Sequence, residues 1–166
     1  MNEAYLCLGG NMGNCLVNLK QACAQIEQKA GKIEQYSSIY QSQAWGMNNA
    51  PDFYNQVIKL KTKLNAEEIM LVLLGIEKKM GRERTKQDNA YQNRIIDIDI
   101  LFFNTEVIEN HTLQIPHPRL HLRRFVLEPL HEIAPNHIHP IFKKTVAQLL
   151  SICADNGQIK KSEHAA

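Results

Sequence analysis

The stretch RIIDIDILFF, residues 94–103, limits the fold more than any other part of the chain. It is apolar enough for a core strand, yet it carries Asp97 and Asp99 one residue apart. Alternation along a strand sends both carboxylates to one face and Ile96, Ile98 and Ile100 to the other. A charged row turned toward a protein interior is costly unless cations meet it. The strand therefore calls for a sheet with one packed face, and for positive charge above the other.

At 166 residues the chain has the length of one domain, one that buries about two-thirds of its unfolded surface. Hydrophobic residues at 44% and charged residues at 22% are the balance of a soluble globule. A net charge of +2 makes no general case for nucleic acid. The opening MNEAYLCLGG lacks a basic region and a long apolar run, so it does not read as a signal peptide. No stretch approaches the roughly 18 apolar residues of a membrane span. Cys7, Cys15, Cys23 and Cys153 show neither CxxC spacing nor a disulfide framework. Buried thiols and a reduced, cytoplasmic setting are the expectation.

Along the chain, 4–9 reads as a buried strand and 15–30 as a helix closed by Gly31. The GGNMGN run between them lacks the GK[ST] of a phosphate loop. Gly9 and Gly10 are expected to permit a tight turn, with Asn11 orienting its neighbours. Strands follow at 33–40 and 53–64, flanking a loop at 42–52. Asn65 and Glu68 form a capping box for a helix running to about Met80. After the 95–103 strand come a short hairpin around VIEN and helices at 124–131 and 143–153. This order predicts an α+β, ferredoxin-like βαββαβ sheet with helices on one face and a helical C-terminal part. Residues 1–155 form the single expected domain, and 156–166 a polar, frayed tail.

Two strand carboxylates spaced by roughly 6.6 Å of rise can converge on hard cations. Magnesium is held by one or two carboxylates plus substrate phosphates. The preceding segment 82–94 is polar and long, and supplies Arg82, Arg84, Lys86 and Arg94. Guanidinium groups bind phosphate oxygens bidentately, so carboxylates and arginines together match the needs of phosphoryl transfer. His117 and His121 stand at i, i+4 without the glutamate of a zinc motif. A phosphate-contacting His117 beside Arg123 fits better, and His131, His137 and His139 read as surface residues. Trp45, Phe53, Asn55 and Phe125 form an aromatic and amide group in which two rings can stack on a flat heterocycle while the amide reads its edge. Core packing is the commoner use of any one phenylalanine.

These motifs occur together and in order: LGGN (8–11), PDFYNQV (51–57), IEKKMGRER (76–84), RIIDIDILFF (94–103), IPHPRL (115–120) and RRFVLEPLHEIAP (123–135). In this the chain resembles the 6-hydroxymethyl-7,8-dihydropterin pyrophosphokinase family, colinearly from about residue 4 to residue 150. The resemblance implies a monomeric enzyme that moves the β,γ-pyrophosphoryl group of ATP to the pterin hydroxymethyl oxygen and releases AMP. It implies two magnesium ions at Asp97 and Asp99, with Asp97 the candidate proton acceptor. Arg82 and Arg94 join the aspartates as catalytic residues. ATP contacts are implied for Glu77, Arg82, Arg84, Tyr91, Arg94, Ile100, His117 and Arg123. Pterin contacts are implied for Ser42, Gln43, Trp45, Phe53, Asn55 and Phe125.

Some positions depart from that family's pattern. Gly10 stands where serine is common, and Leu74 where a glutamine often touches the nucleotide. YQNR (91–94) replaces a tryptophan- or tyrosine-Gly-Pro-Arg run. Two other classes compete. A nucleic-acid-binding module would need exposed aromatics in a basic field, and the acidic pair opposes that. A glycosyltransferase using DxD would need a longer chain for its second substrate.

Overall fold

The computed structural model describes residues 1–43, 51–81 and 95–162. Among these residues the element order begins β1 (Asn2–Gly10), α1 (Cys15–Lys29), β2 (Lys32–Tyr36), β3 (Tyr40–Ser42) and β4 (Phe53–Thr62). Then come α2 (Ala66–Lys79), β5 (Asp97–Phe103), β6 (Ile108–Glu109), β7 (Gln114–Ile115), α3 (Arg124–Ile133), α4 (Val146–Ser151) and β8 (Ile159–Lys161). A six-stranded sheet runs β5-β1-β4-β3-β8, with β2 also paired to β4. Its pairings are antiparallel. Strands β6 and β7 make the hairpin expected around VIEN.

Alternation along the strands divides the interior in two. Ala4, Leu6, Leu8, Ile58 and Leu60 pack with Leu19, Ile26, Ile69 and Ile76 of α1 and α2. Tyr5, Cys7 and Val57 point the other way and pack with Val126, Leu127 and Leu130 of α3 and Val146 and Leu149 of α4. Helices thus cover both faces, which corrects the expectation of helices on one. The C-terminal helices bury the side that a bare βαββαβ unit leaves open.

Helix α2 starts as its sequence dictates: Asn65 Oδ1 accepts the Glu68 amide at 2.9 Å, and Glu68 Oε1 accepts the Asn65 amide at 3.0 Å. Helix α4 is shorter than expected, and the same reciprocal pair, Thr145 with Gln148, fixes its first turn. The anticipated 33–40 strand divides into β2 and β3. Between them Ser37 Oγ takes the Val57 amide at 2.9 Å and Glu132 takes the Ser38 amide at 2.8 Å.

Strand β5 carries a bulge. Tyr5 pairs with Phe102 but Leu6 with Ile100, leaving Leu101 as the extra residue. Asp97 and Asp99 therefore keep strict alternation with Ile98 and Ile100, while Leu101 and Phe102 both join the cluster under α3.

Three further expectations change. Gly9 and Gly10 lie within β1 rather than in the turn, where Gly13 takes the left-handed conformation at φ 69°. The tail expected to fray contributes β8, which pairs Ile159 with Ser42. His139 is only 2% exposed, its Nδ1 accepting the Ile141 and Phe142 amides at 3.2 Å. His137 lies against Phe102, with ring centroids 4.4 Å apart. Neither of these histidines is the surface residue its spacing suggested. The four cysteines are free, with Cys7 and Cys23 buried as expected. Among the described residues, no helix is long and apolar enough to cross a membrane.

Candidate active site

Register across three strands assembles a cleft on the α3 side of the sheet. Gly9 of β1 pairs with Asp97 of β5 on one side and with Asn55 of β4 on the other. One row behind, Cys7 lies between Asp99 and Val57. One step outward along β4, Phe53 pairs with Ser42. Asp97, Asp99, Asn55, Phe53 and Ser42 all line this cleft, and Gln43 extends its wall. From across the cleft the first residues of α3 complete it: Arg123, Phe125 and Val126.

The floor is glycine by necessity. A Cβ on Gly9 would collide with Asn55 Oδ1, so any side chain there would push the amide from its place. Asn55 is 5% exposed, and its Nδ2 is buried without a hydrogen-bond partner among the described residues. A buried amide donor left unmade is expensive. Here it opens into a cleft walled by two phenylalanines, where a ligand acceptor could satisfy it.

Charge in the cleft is uneven. His117 lines it with Nε2 3.9 Å from Asp99 Oδ2. Burial, and the nearby Arg123 guanidinium, depress the His117 pKa to about 4 against the partial opposition of Asp97. At that distance and with a neutral ring, the pair is a polar contact rather than an ion pair. His117 Nδ1 accepts the Arg119 amide at 3.1 Å, which leaves Nε2 directed to the cleft side. Arg123 rests over Phe125, its guanidinium carbon 5.6 Å from the ring centroid. Burial, then Asp99 and Asp97, drive the Cys7 pKa upward, so its thiol is a neutral part of the floor.

A second cavity lies along β5 on the α2 side. Met70, Leu71 and Leu74 of α2 form one wall; Ile98 and Ile100 of β5 and Leu113 before β7 form others. Asp99 and His117 line this cavity as well as the cleft, so the two spaces meet at these residues. Leu71 and Leu74 are exposed apolar residues, off the stripe by which α2 packs on the sheet. That surplus of apolar surface was the sequence signal for the cavity.

Of the residues singled out in the sequence, Ser42, Gln43, Phe53, Asn55, Asp97, Asp99, His117, Arg123 and Phe125 share the cleft. Ile100 lines the second cavity. Glu77 is among the walls of neither; it is 2% exposed, and its Oε2 accepts the Ile98 amide at 2.7 Å. It bears on the site by holding β5 in place. Trp45, Arg82, Arg84, Lys86, Tyr91 and Arg94 lie outside the described residues. Cys7, Gly9, Leu101 and Val126 are cleft residues that spacing alone did not single out. For the three strand residues the signal is parity, since 7 and 9 share a face of β1 and 101 shares one with 97 and 99 of β5, whereas Val126 enters from α3.

Known proteins resemble this chain over most of its length. Residues 5–135 match the family model for 7,8-dihydro-6-hydroxymethylpterin-pyrophosphokinase. A 2-amino-4-hydroxy-6-hydroxymethyldihydropteridine pyrophosphokinase of Aquifex aeolicus is 40% identical over 148 residues, covering 89% of this chain and 90% of that one. Its Bacillus subtilis counterpart is 40% identical over 133 residues, covering 80% and 78%. A crystal structure of a Plasmodium falciparum HPPK-DHPS superimposes with a TM-score of 0.74 at 20% identity, over 90% of this chain and 45% of that longer one. That last likeness speaks for the fold. The extent of these matches gives one conclusion: the chain belongs to the 7,8-dihydro-6-hydroxymethylpterin-pyrophosphokinase family.

Proposed function

We propose that this protein transfers a pyrophosphoryl group from ATP to the hydroxymethyl oxygen of 6-hydroxymethyl-7,8-dihydropterin, a step of folate biosynthesis. The observation that carries this reading is the unpartnered Asn55 amide between Phe53 and Phe125, in the same cleft as Asp97 and Asp99. The rings offer faces to a flat bicycle, and the amide offers a donor to an acceptor on its edge. Ser42 and Gln43 close the outer side. The second cavity suits an adenine base on its apolar walls, leaving the phosphates to cross the rim at Asp99 and His117.

The donor set suits magnesium. Two carboxylates face an open cleft, and no group of three His, Cys, Asp or Glu side chains forms a metal cage among the described residues. A hard cation that keeps waters and phosphate oxygens as its other ligands needs no such cage. Two magnesium ions at Asp97 and Asp99 would polarise the phosphates and lower the pKa of the attacking hydroxyl.

The chain's own residues do the remaining work. Phe53, Phe125 and Asn55 hold the pterin so that its hydroxymethyl group faces the rim. Its oxygen bonds to the β-phosphorus as the bond to the α,β-bridging oxygen breaks, and AMP leaves. Asp97, one pairing from the glycine floor, takes the hydroxyl proton. Arg123 and neutral His117 offer donors to phosphate oxygens. Arg82, Arg84 and Arg94 are assigned to the same charge, with Tyr91 and Ile100 at the nucleotide and Trp45 at the pterin. Glu77 supports the rim by anchoring Ile98.

The sheet order, with α1 and α2 on one face, is consistent with a ferredoxin-like core elaborated by α3, α4 and β8. A single domain, extended past residue 155 by β8 and acting as a monomer in the cytoplasm, completes this reading. The decisive experiment mixes protein, ATP, magnesium and the hydroxymethyl dihydropterin, and separates the nucleotide products. AMP in equal yield with the pterin diphosphate is the expected result. ADP, or no nucleotide product, would defeat the assignment.

A further inference from the structure

Helix α3 supplies one wall of the cleft, yet nothing in its own sequence caps it. Its N-cap residue is Arg123, whose side chain makes no capping hydrogen bond. The missing acceptor arrives from 31 residues further along the chain: Asp155 Oδ2 accepts the Arg124 amide at 3.0 Å. A carboxylate at a helix N-terminus satisfies a backbone donor that the helix leaves open, and complements the helix dipole.

The Arg124 side chain doubles this tie. Its Nε donates to the Asp155 carbonyl at 2.9 Å, and its Nη1 to Glu128 Oε1 at 3.0 Å. Arg124 is thereby turned toward the C-terminal segment, while its neighbours Arg123 and Phe125 line the cleft. The other Asp155 oxygen, Oδ1, accepts the Gly157 amide at 2.8 Å and turns the chain. That turn leads into β8, whose Ile159 pairs with Ser42 on the opposite cleft wall. Residues 155–159 thus connect the two walls of the cleft from behind.

We infer that Asp155 is a positioning residue for the pterin pocket, holding the start of α3 so that Arg123 and Phe125 keep their places. It touches no reacting atom and acts through Arg124. The inference rests on the proposed pyrophosphokinase reading, because it is the pterin whose binding reports on the wall.

The test measures dissociation constants of the hydroxymethyl dihydropterin and of a non-hydrolysable ATP analogue by calorimetry, on the intact chain. For Asp155→Ala the pterin constant rises roughly tenfold, the size of effect that loss of a helix cap carries. The nucleotide constant rises less, by about threefold, because Arg123 is the one proposed nucleotide contact at the start of α3 while those on α2 and β5 keep their own anchors. Asp155→Asn retains an acceptor for the Arg124 amide and recovers most of the pterin affinity. Arg124→Met removes only the side-chain half of the tie, and carries the test if Asp155→Ala does not fold; its loss is also selective for pterin. Unchanged pterin affinity in the folded variants overturns the inference. So does an equal loss of pterin and nucleotide affinity, which would signal general destabilisation. A wild-type protein that binds nucleotide but no pterin would instead defeat the functional reading, and this inference with it.

Discussion

The cleft under α3 and the cavity beside α2 meet at Asp99 and His117, yet they are made of different material. The cleft is set by backbone register: Asp97, Gly9 and Asn55 stand in a row because three antiparallel strands are paired so. The cavity is set by side chains on the outer surface of a helix and by a two-residue hairpin strand. One space holds a buried polar group awaiting a partner. The other presents mostly apolar walls, and two of its leucines reach solvent. A site that leaves a buried donor unpaired discriminates steeply, because a wrong ligand leaves the donor unpaired too. An apolar wall discriminates by shape alone, and a lost methylene there has a modest effect.

This contrast can be broken at Asp99, one of the two residues that both spaces share. Asp99→Ala should lower kcat by about 10²- to 10³-fold, as expected when charge stabilisation in the transition state is removed. Circular dichroism and single-turnover AMP release would read fold and chemistry separately. A near-normal rate would remove the carboxylates from the mechanism.

Asn55→Leu tests the polar side of the comparison. The pterin KM should rise by about 10- to 100-fold, the weight of one buried hydrogen bond. The nucleotide constant should stay as it was, and calorimetry with each ligand alone would check both. Leu74→Ala tests the apolar side. Trimming an exposed wall should weaken nucleotide binding by only about threefold and leave the pterin untouched. Should Leu74→Ala cost as much as Asn55→Leu, the distinction between the two spaces fails.

The smallest expected effect lies away from both. Burial, with His121 and His137 nearby, depresses the His139 pKa to about 4, whereas an unfolded histidine titrates near 6.5. Below that unfolded value the unfolded chain binds more protons than the native one, so stability is lost as the pH is lowered through this window and is fully present above it. The melting temperature should drop by roughly 4–8 °C between about pH 7 and pH 5 on this account. A flat profile over that interval would contradict the burial of an unprotonated His139.

Much of the cleft was legible because strand parity is a local rule. Asp97 and Asp99 share a face in any strand, as do Phe53 and Asn55, and the capping box of α2 is spelled out within four residues. What was hidden depends on pairing between distant segments. Gly9 reads as a turn residue until β4 is laid beside it, when its role becomes room for Asn55. The bond from the Ile98 amide to the Glu77 carboxylate is likewise invisible until α2 is laid against β5. His137 and His139 look like surface residues in a polar stretch, because nothing nearby announces that Phe102 and Phe142 will cover them. The expected loose tail becomes β8 only because β3 leaves an edge for it.

The extra residue at Leu101 gives β5 two independent phases. Its first half obeys the chemistry of the rim, and its second half obeys the packing beneath α3. Deleting or inserting a single residue there would reverse the side-chain parity of one half against the other. Either the two carboxylates would swing into hydrocarbon or Phe102 would swing out of it. Exchange of side chains along this strand can therefore be gradual, whereas its length at that position is held fixed.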